Sequence, residues 1–225
     1  MSKSNAMRGA KKAEQARSRR TRDALLAALE SLLKEKDFSE IGVVEIADRA
    51  GVSPASIYRR FNKRDGLIPA LFELQLRRQI EWYQRADTQK QLASLSGENV
   101  DLKSFLRGNA HLALLLLRDL EHLAKPTAIY GRMRPDLLQE RVDEMMKDAL
   151  QSVRKALEPY RSHIARADDD RTIHMVVYFF QCIFNDFVLF RDRTVMPGFE
   201  LSDEVFVFEI ADFLYGYLTT PEDTP

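Results

Sequence analysis

Between Val43 and Phe61 the chain carries two short runs with helical spacing of apolar residues, parted by one glycine, and this pattern constrains the fold more than any other feature. Val43, Ile46, Ala47 and Ala50 share a face of the first run. Gly51 then supplies a turn. The second run opens on Ser53-Pro54, a side-chain cap followed by the residue best suited to the first helical position, and ends at Asn62 and Lys63. Upstream, Leu25, Leu29, Leu32 and Leu33 keep the same period and predict a first helix over about residues 12 to 36, stopped at Asp37. Two short helices joined by a glycine turn have the layout of a helix-turn-helix. A helix that enters a major groove roughly 12 Å wide must be apolar inside and offer small or hydrogen-bonding side chains outside. Ile57, Tyr58 and Phe61 can serve the inner side, which leaves Ala55, Ser56, Arg59 and Arg60 for base edges.

Charge supports a nucleic-acid partner only when its distribution is considered. The 34 basic and 34 acidic residues cancel over the whole chain. Residues 1 to 65 hold 15 Lys and Arg against 9 Asp and Glu, a surplus of six, and the remainder carries the matching deficit. A basic third can approach phosphates while an acidic remainder is repelled from them. The plainer reading, a basic tail that only solubilises the N-terminus, accounts for part of the surplus, since Lys3, Arg8, Lys11, Lys12, Arg17, Arg19, Arg20 and Arg22 precede any strong apolar pattern.

From Asp65 onward the spacing is helical, with breaks at Asp87 to Asp101, Lys125-Pro126, Arg134-Pro135, Asp168 to Asp170 and Pro197-Gly198, which delimit five or six helices. Strand-like alternation is essentially absent, so the fold class is all-α: a three-helix N-terminal module and a larger helical domain. The polar stretch Ala86 to Asn99 reads as a disordered loop. The divisions expected are a flexible basic N-terminus over 1–16, whose first residues have the look of an expression tag, a helix-turn-helix domain over 17–64, and a helical domain over 65–225.

Several other chemistries find little footing. One cysteine, Cys182, forms no intramolecular disulfide and no cysteine metal cluster, which fits a reducing cytoplasm. No export signal follows the basic start, and Ile173 to Phe190, though long and apolar, contains His174, Gln181, Asn185 and Asp186, which suit a buried helix better than a membrane span. His111 and His122 lack any tight metal-binding spacing, and Asp168-Asp169-Asp170 reads as a helix start. With no glycine-rich phosphate loop and no nucleophile elbow, no cofactor, metal or catalytic residue is expected.

The stretch Leu25-Leu26-x-Ala28-Leu29-x-x-Leu32-Leu33 with Phe38, then Val43-x-x-Ile46-Ala47-x-x-Ala50-Gly51-Val52-Ser53, then Ile57-Tyr58-x-x-Phe61-x-x-Arg64-Asp65-x-Leu67, resembles the DNA-binding domain of the tetracycline-repressor (TetR) family of bacterial transcriptional regulators over about residues 17 to 72. The resemblance implies that Tyr58 and Arg64 touch phosphates and that Ser53, Pro54, Ala55, Ser56, Arg59 and Arg60 lie in or beside the groove, with Gly42 and Lys63 at its margins. This chain departs from the family pattern at Arg64, where lysine is common, at Asp37, where glycine is common, and at Ile41-Gly42, where hydroxyl residues usually cap the second helix. The resemblance further implies a cytoplasmic bacterial protein, at the nucleoid when bound to double-stranded DNA. It also implies a small-molecule effector and a homodimer through the last two helices, here about 171–191 and 202–219.

Trp82, Phe105, His111, Tyr130, Met145 and Tyr178 are candidates for lining an apolar effector pocket, although aromatic and methionine residues at helical spacing are what any core contains. The helix expected to start at Asp65 joins the two modules, and Gly66 and Pro69 predict a soft first turn that could act as a hinge. Three functions remain open: an effector-responsive repressor, an effector-independent DNA-binding or architectural protein, and an enzyme or interaction module whose helix-turn-helix is only structural.

Overall fold

A computed structural model describes residues 2–61, 64–95, 99–191 and 201–222, with side chains described from Lys12 onward except that of Arg64. Ten α-helices are present among these residues and no strand. In chain order they are α1 (Ser2–Leu33), α2 (Val43–Arg49), α3 (Pro54–Phe61), α4 (Leu67–Tyr83), α5 (Ala86–Ser94), α6 (Leu102–Asp119), α7 (Glu121–Met133), α8 (Pro135–Leu157), α9 (Asp170–Phe184) and α10 (Asp203–Thr219).

The first core forms where the leucine stripe of α1 meets α2, α3 and α4. Leu25, Leu29, Leu32, Ile46, Ile57 and Leu71 are all excluded from solvent. This core does not stop at the N-terminal module, because Leu123 of α7 and Leu138 of α8 are buried in it too, and Tyr130 of α7 meets Phe38 edge-on at 5.0 Å between ring centroids. Roughly 1.5–3 kcal/mol accompanies full burial of each such side chain, so the eight-residue α3 is held by its neighbours. A second core joins α6, α8, α9 and α10 through Leu106, Leu114, Leu157, Val176, Phe184 and Leu214. A third, smaller one packs Trp82 at the end of α4 on Leu112, Leu116 and Leu120.

Local chemistry sets the helix ends. Asp101 and Asp169 accept hydrogen bonds from the backbone N–H of Ser104 (2.8 Å) and Thr172 (2.7 Å), and Ser202 does the same for Val205 (3.3 Å). The Asp168-Asp169-Asp170 run is thus a helix start, with Asp168 and Asp170 both paired to Arg154.

Several expectations need correction. α1 begins at Ser2, upstream of the expected start near residue 12, and ends at Leu33. Ala86–Ser94 is helical, because Thr88 is buried and Leu95 lies against Gly108 so closely that a Cβ there would come within 2.1 Å of its side chain. The second break falls at Leu120 rather than at Lys125-Pro126, and Pro126 sits buried inside α7, where packing overrides its low propensity. Seven α-helices follow Asp65, more than the five or six expected. The expected break at Pro197-Gly198 lies outside the described residues.

The first turn at Gly66 and Pro69, expected to be soft, is closely packed. Pro69 is the third residue of α4, where a backbone N–H has no intrahelical acceptor in any case, so proline costs little there. Gly66 belongs to a 3-10 turn over Arg64–Gly66 that presses against α3: a Cβ on it would lie 1.8 Å from the Phe61 carbonyl oxygen. The joint between α3 and α4 is therefore a close contact. Replacing Gly66 by alanine must displace one helix from the other, and the expected loss is about 1–3 kcal/mol of stability. Urea denaturation of Gly66→Ala checks this, and an unchanged midpoint would contradict it.

Candidate DNA-binding surface

The turn between α2 and α3 is built on Gly51, whose φ of 67° is a left-handed conformation that side chains disfavour. The Val52 N–H donates to the Ala47 carbonyl at 3.0 Å and closes the end of α2. Ser53 precedes α3, and its hydroxyl lies 3.2 Å from that of Ser56. Gly42 occupies the cap position of α2 with no side-chain bond, as the departure at Ile41-Gly42 implied, and it is exposed.

Ile57 and Phe61 anchor α3 in the core, and the rest of the helix faces out. Ser53, Ala55, Tyr58 and Arg59 are exposed, while Pro54, Ser56 and Arg60 are half-buried. Tyr58 corrects one reading: it is 54% exposed and does not serve the inner side. One residue further along a helix turns by about 100°, which carries the position after Ile57 out of the core. Arg59 has no hydrogen-bond or ion-pair partner among the described residues. Arg60 differs, since its guanidinium donates to the Ser18 hydroxyl on α1 at 2.8 Å. Lys63 and the side chain of Arg64 lie outside the described residues.

Carboxylates near this surface are occupied from their own side. Arg49 forks onto Glu35 at 2.7 and 3.0 Å, and Lys36 pairs with Glu45 at 2.7 Å, so both carboxyls sit below the usual range through these bonds. Behind them, Arg22 of α1 and Arg141 of α8 grip Glu73 of α4. Burial would raise the Glu73 carboxyl, and the two guanidiniums hold it down. Glu30 of α1 is only 12% exposed and receives Arg78 of α4 through three bonds of 2.6 to 3.1 Å. Burial opposes its ionisation; the bonded Arg78, with Lys34 and His122, outweighs it. His122, at the start of α7, is 3.8 Å from Glu30, and burial and Lys34 lower its pKa despite that carboxylate. Asp65, just after α3, pairs with Arg134 at the α7–α8 junction. No spacing in the sequence announces these pairs, most of whose members lie tens of residues apart.

The six pocket candidates do not converge. Trp82 belongs to the small core on α6; Phe105 meets Tyr160 with tilted rings, 4.8 Å between centroids; Tyr130 and Met145 pack on the N-terminal core; His111 is exposed, and Tyr178 is 60% exposed. Among the described residues no group of His, Cys, Asp and Glu side chains could hold a metal ion.

Residues 25–71 match the model of the bacterial regulatory proteins, tetR family. Nothing among curated proteins matches in sequence. Solved structures similar to the chain include the fatty acid degradation regulator FadR from Bacillus halodurans, at 18% identity and TM-score 0.58, over 87% of this chain and 94% of that one. A bacterial regulatory protein in the tetR family from Rhodococcus RHA1 superposes at TM-score 0.56 and 12% identity, over 90% and 98% of the two chains. NalD from Pseudomonas aeruginosa, the secondary repressor of the MexAB-OprM multidrug efflux pump, does so at 0.53 and 19%, again over 90% and 98%. At these identities the likeness establishes the fold, and the sequence match establishes what the first helices are. Residues 25–71, which hold α2 and α3, match the tetR-family model, and over most of its length the chain has the helical fold of these solved regulators.

Proposed function

We propose that the protein is a dimeric repressor that reads a pseudo-palindromic operator through the outer face of α3 and leaves it when a small, largely apolar effector binds the helical domain. The observation that carries the reading is the contrast across α3. Ile57 and Phe61 are locked in the core, while Ser53, Ala55, Tyr58 and an unpartnered Arg59 face outward. Small side chains let the helix approach base edges, and a guanidinium can bond guanine O6 and N7 together. Arg59→Ala is expected to cost roughly 1–3 kcal/mol of specific binding and to relax one base pair. Selection of bound duplexes from random DNA measures both, and an unchanged preference would take α3 out of the groove.

A two-fold dimer would repeat that reading on the second half-site. Ile173, Val176, Val177, Phe184 and Val188 of the ninth helix and its extension are used inside the protomer. Tyr178 and, on α10, Val205 and Phe213 remain exposed. Gly216 shares the stripe of Val205 and Phe213 at helical spacing, and a Cβ on it would meet nothing within 4 Å. On the other side of α10, Arg107 and Lys103 lie over the still exposed rings of Phe208 and Tyr215 and also pair with Asp212. A second copy seated on the first stripe would cover Val205 and Phe213 and would have to match the exposed Glu209 that lies between them. Gly216→Glu is expected to leave the melting temperature of the protomer intact and to convert dimer to monomer in light scattering; a dimer unaffected by it would move the interface elsewhere.

Effector release is supported by α4, which presses on α3 at Gly66 and buries Trp82 against α6 at its other end. A shift of α6 or α7 would reach the recognition helix through it. The required coupling is on the order of 1–3 kcal/mol, and linkage demands that DNA weaken effector binding by the same factor. The dispersal of the six pocket candidates favours the alternative, an effector-independent DNA-binding protein. A thermal-shift screen of apolar compounds followed by DNA titration separates the two: the first reading requires a compound that raises the melting temperature and lowers DNA affinity, and the second requires that none do.

A further inference from the structure

The N-terminal half of α1 carries a surface that the helix-turn-helix does not account for. Between Lys12 and Arg22 stand five basic residues and one acidic residue, Glu14. Every residue from Lys12 to Arg20 is exposed, and the first fully buried side chain of the helix among those described is Leu25. Here α1 projects past the core as a helix that is polar all round. Such a helix lacks the apolar face that normally stabilises one in a fold.

Where this segment lies is fixed by one contact: the Arg60 guanidinium of α3 donates to the Ser18 hydroxyl at 2.8 Å. The projecting basic helix therefore starts out from the C-terminal end of the recognition helix. Elsewhere on the N-terminal module arginines are matched with carboxylates: Arg22 with Glu73, Arg49 with Glu35, Arg78 with Glu30. Lys12, Arg17, Arg19 and Arg20 have no ion-pair partner among the described residues, and neither does Arg59. Unbalanced like charge gathered on one side of a small domain repels itself, and an anionic polymer relieves that repulsion. A phosphate backbone alongside the groove that α3 enters has the sign and linear form to do so.

We propose that residues 12–20 of α1 form a phosphate clamp flanking the recognition helix, and that Arg60 is the strut that holds the clamp through Ser18 rather than a reader of bases. This rests on the reading of α3 as the groove helix, and it assigns different work to adjacent arginines. Arg59 reads sequence. Arg60 positions α1, and Lys12, Arg17, Arg19 and Arg20 bind the backbone without regard to sequence.

The experiment is DNA affinity as a function of salt for the full-length protein, with selection from random duplexes alongside. Removing one cation that neutralises a phosphate should lower the slope of log affinity against log salt by about 0.9. The fourfold variant Lys12→Gln, Arg17→Gln, Arg19→Gln, Arg20→Gln is expected to lose roughly two to four units of slope while selecting the same sequence. Glutamine keeps helix propensity, and circular dichroism with a thermal melt checks that the domain remains folded. Arg60→Ala and Ser18→Ala should each weaken binding to all sequences alike and leave base preference intact. An unchanged slope in a folded fourfold variant, or a relaxed base pair in Arg60→Ala, overturns the proposal while Arg59→Ala still reports on α3. Absence of any sequence-selective binding by the unmodified protein overturns the reading of α3 and this proposal with it.

Discussion

The helix proposed to read DNA cannot support itself. At eight residues α3 is shorter than any helix expected to persist alone in water, so its position is set by what Ile57 and Phe61 bury against and by the approach of Gly66 to the Phe61 carbonyl. Everything else in the N-terminal module follows from supporting that short element. The leucine stripe of α1 makes the floor, α2 and Gly51 set the angle of entry, and α4 closes the far end. Because Leu123 of α7 and Leu138 of α8 enter the same core, the later helices complete the N-terminal module and are not merely tethered to it.

Charge adds direction to this packing. Glu30, Glu73 and Asp65 each lie where an arginine from another helix meets them, tying α1 to α4, α4 to α8, and the turn after α3 to the α7–α8 junction. Exposed ion pairs contribute little singly, about 0–1 kcal/mol, but the mostly buried Glu30 would be left unsatisfied without Arg78. The pairing leaves excess positive charge on the side shared by α3 and the projecting half of α1.

Much of this is legible from residue spacing. The apolar period of α1, the glycine turn and the Ser53-Pro54 start locate the helix-turn-helix, and the Gly51 conformation is the one its position requires. Less can be read where tertiary contact overrides local preference. Ala86–Ser94 looks too polar to order, yet Thr88 and Leu95 pack on a neighbour, with Gly108 making room. After Phe184 a π-helical turn over Asn185–Leu189 inserts an extra residue into the helix, and Val188 and Leu189 are buried in the core. Tyr58 reads as inward because it adjoins Ile57, although helix geometry turns it out. The pocket candidates rest on residue type alone, and type does not say which of three separate cores a side chain joins. The Arg60–Ser18 bond spans 42 positions, and no pattern in the sequence marks it.

The central claim, that the outer face of α3 lies in the major groove, is tested most directly by position-specific crosslinking. Ala55→Cys, in a Cys182→Ser background so that the thiol is unique, would carry a short photoreactive group on DNA-bound protein. The account requires crosslinks to bases at two symmetric major-groove positions of a selected duplex, one for each copy of α3. Crosslinks scattered without preferred position, or none in a complex that remains intact, would contradict it.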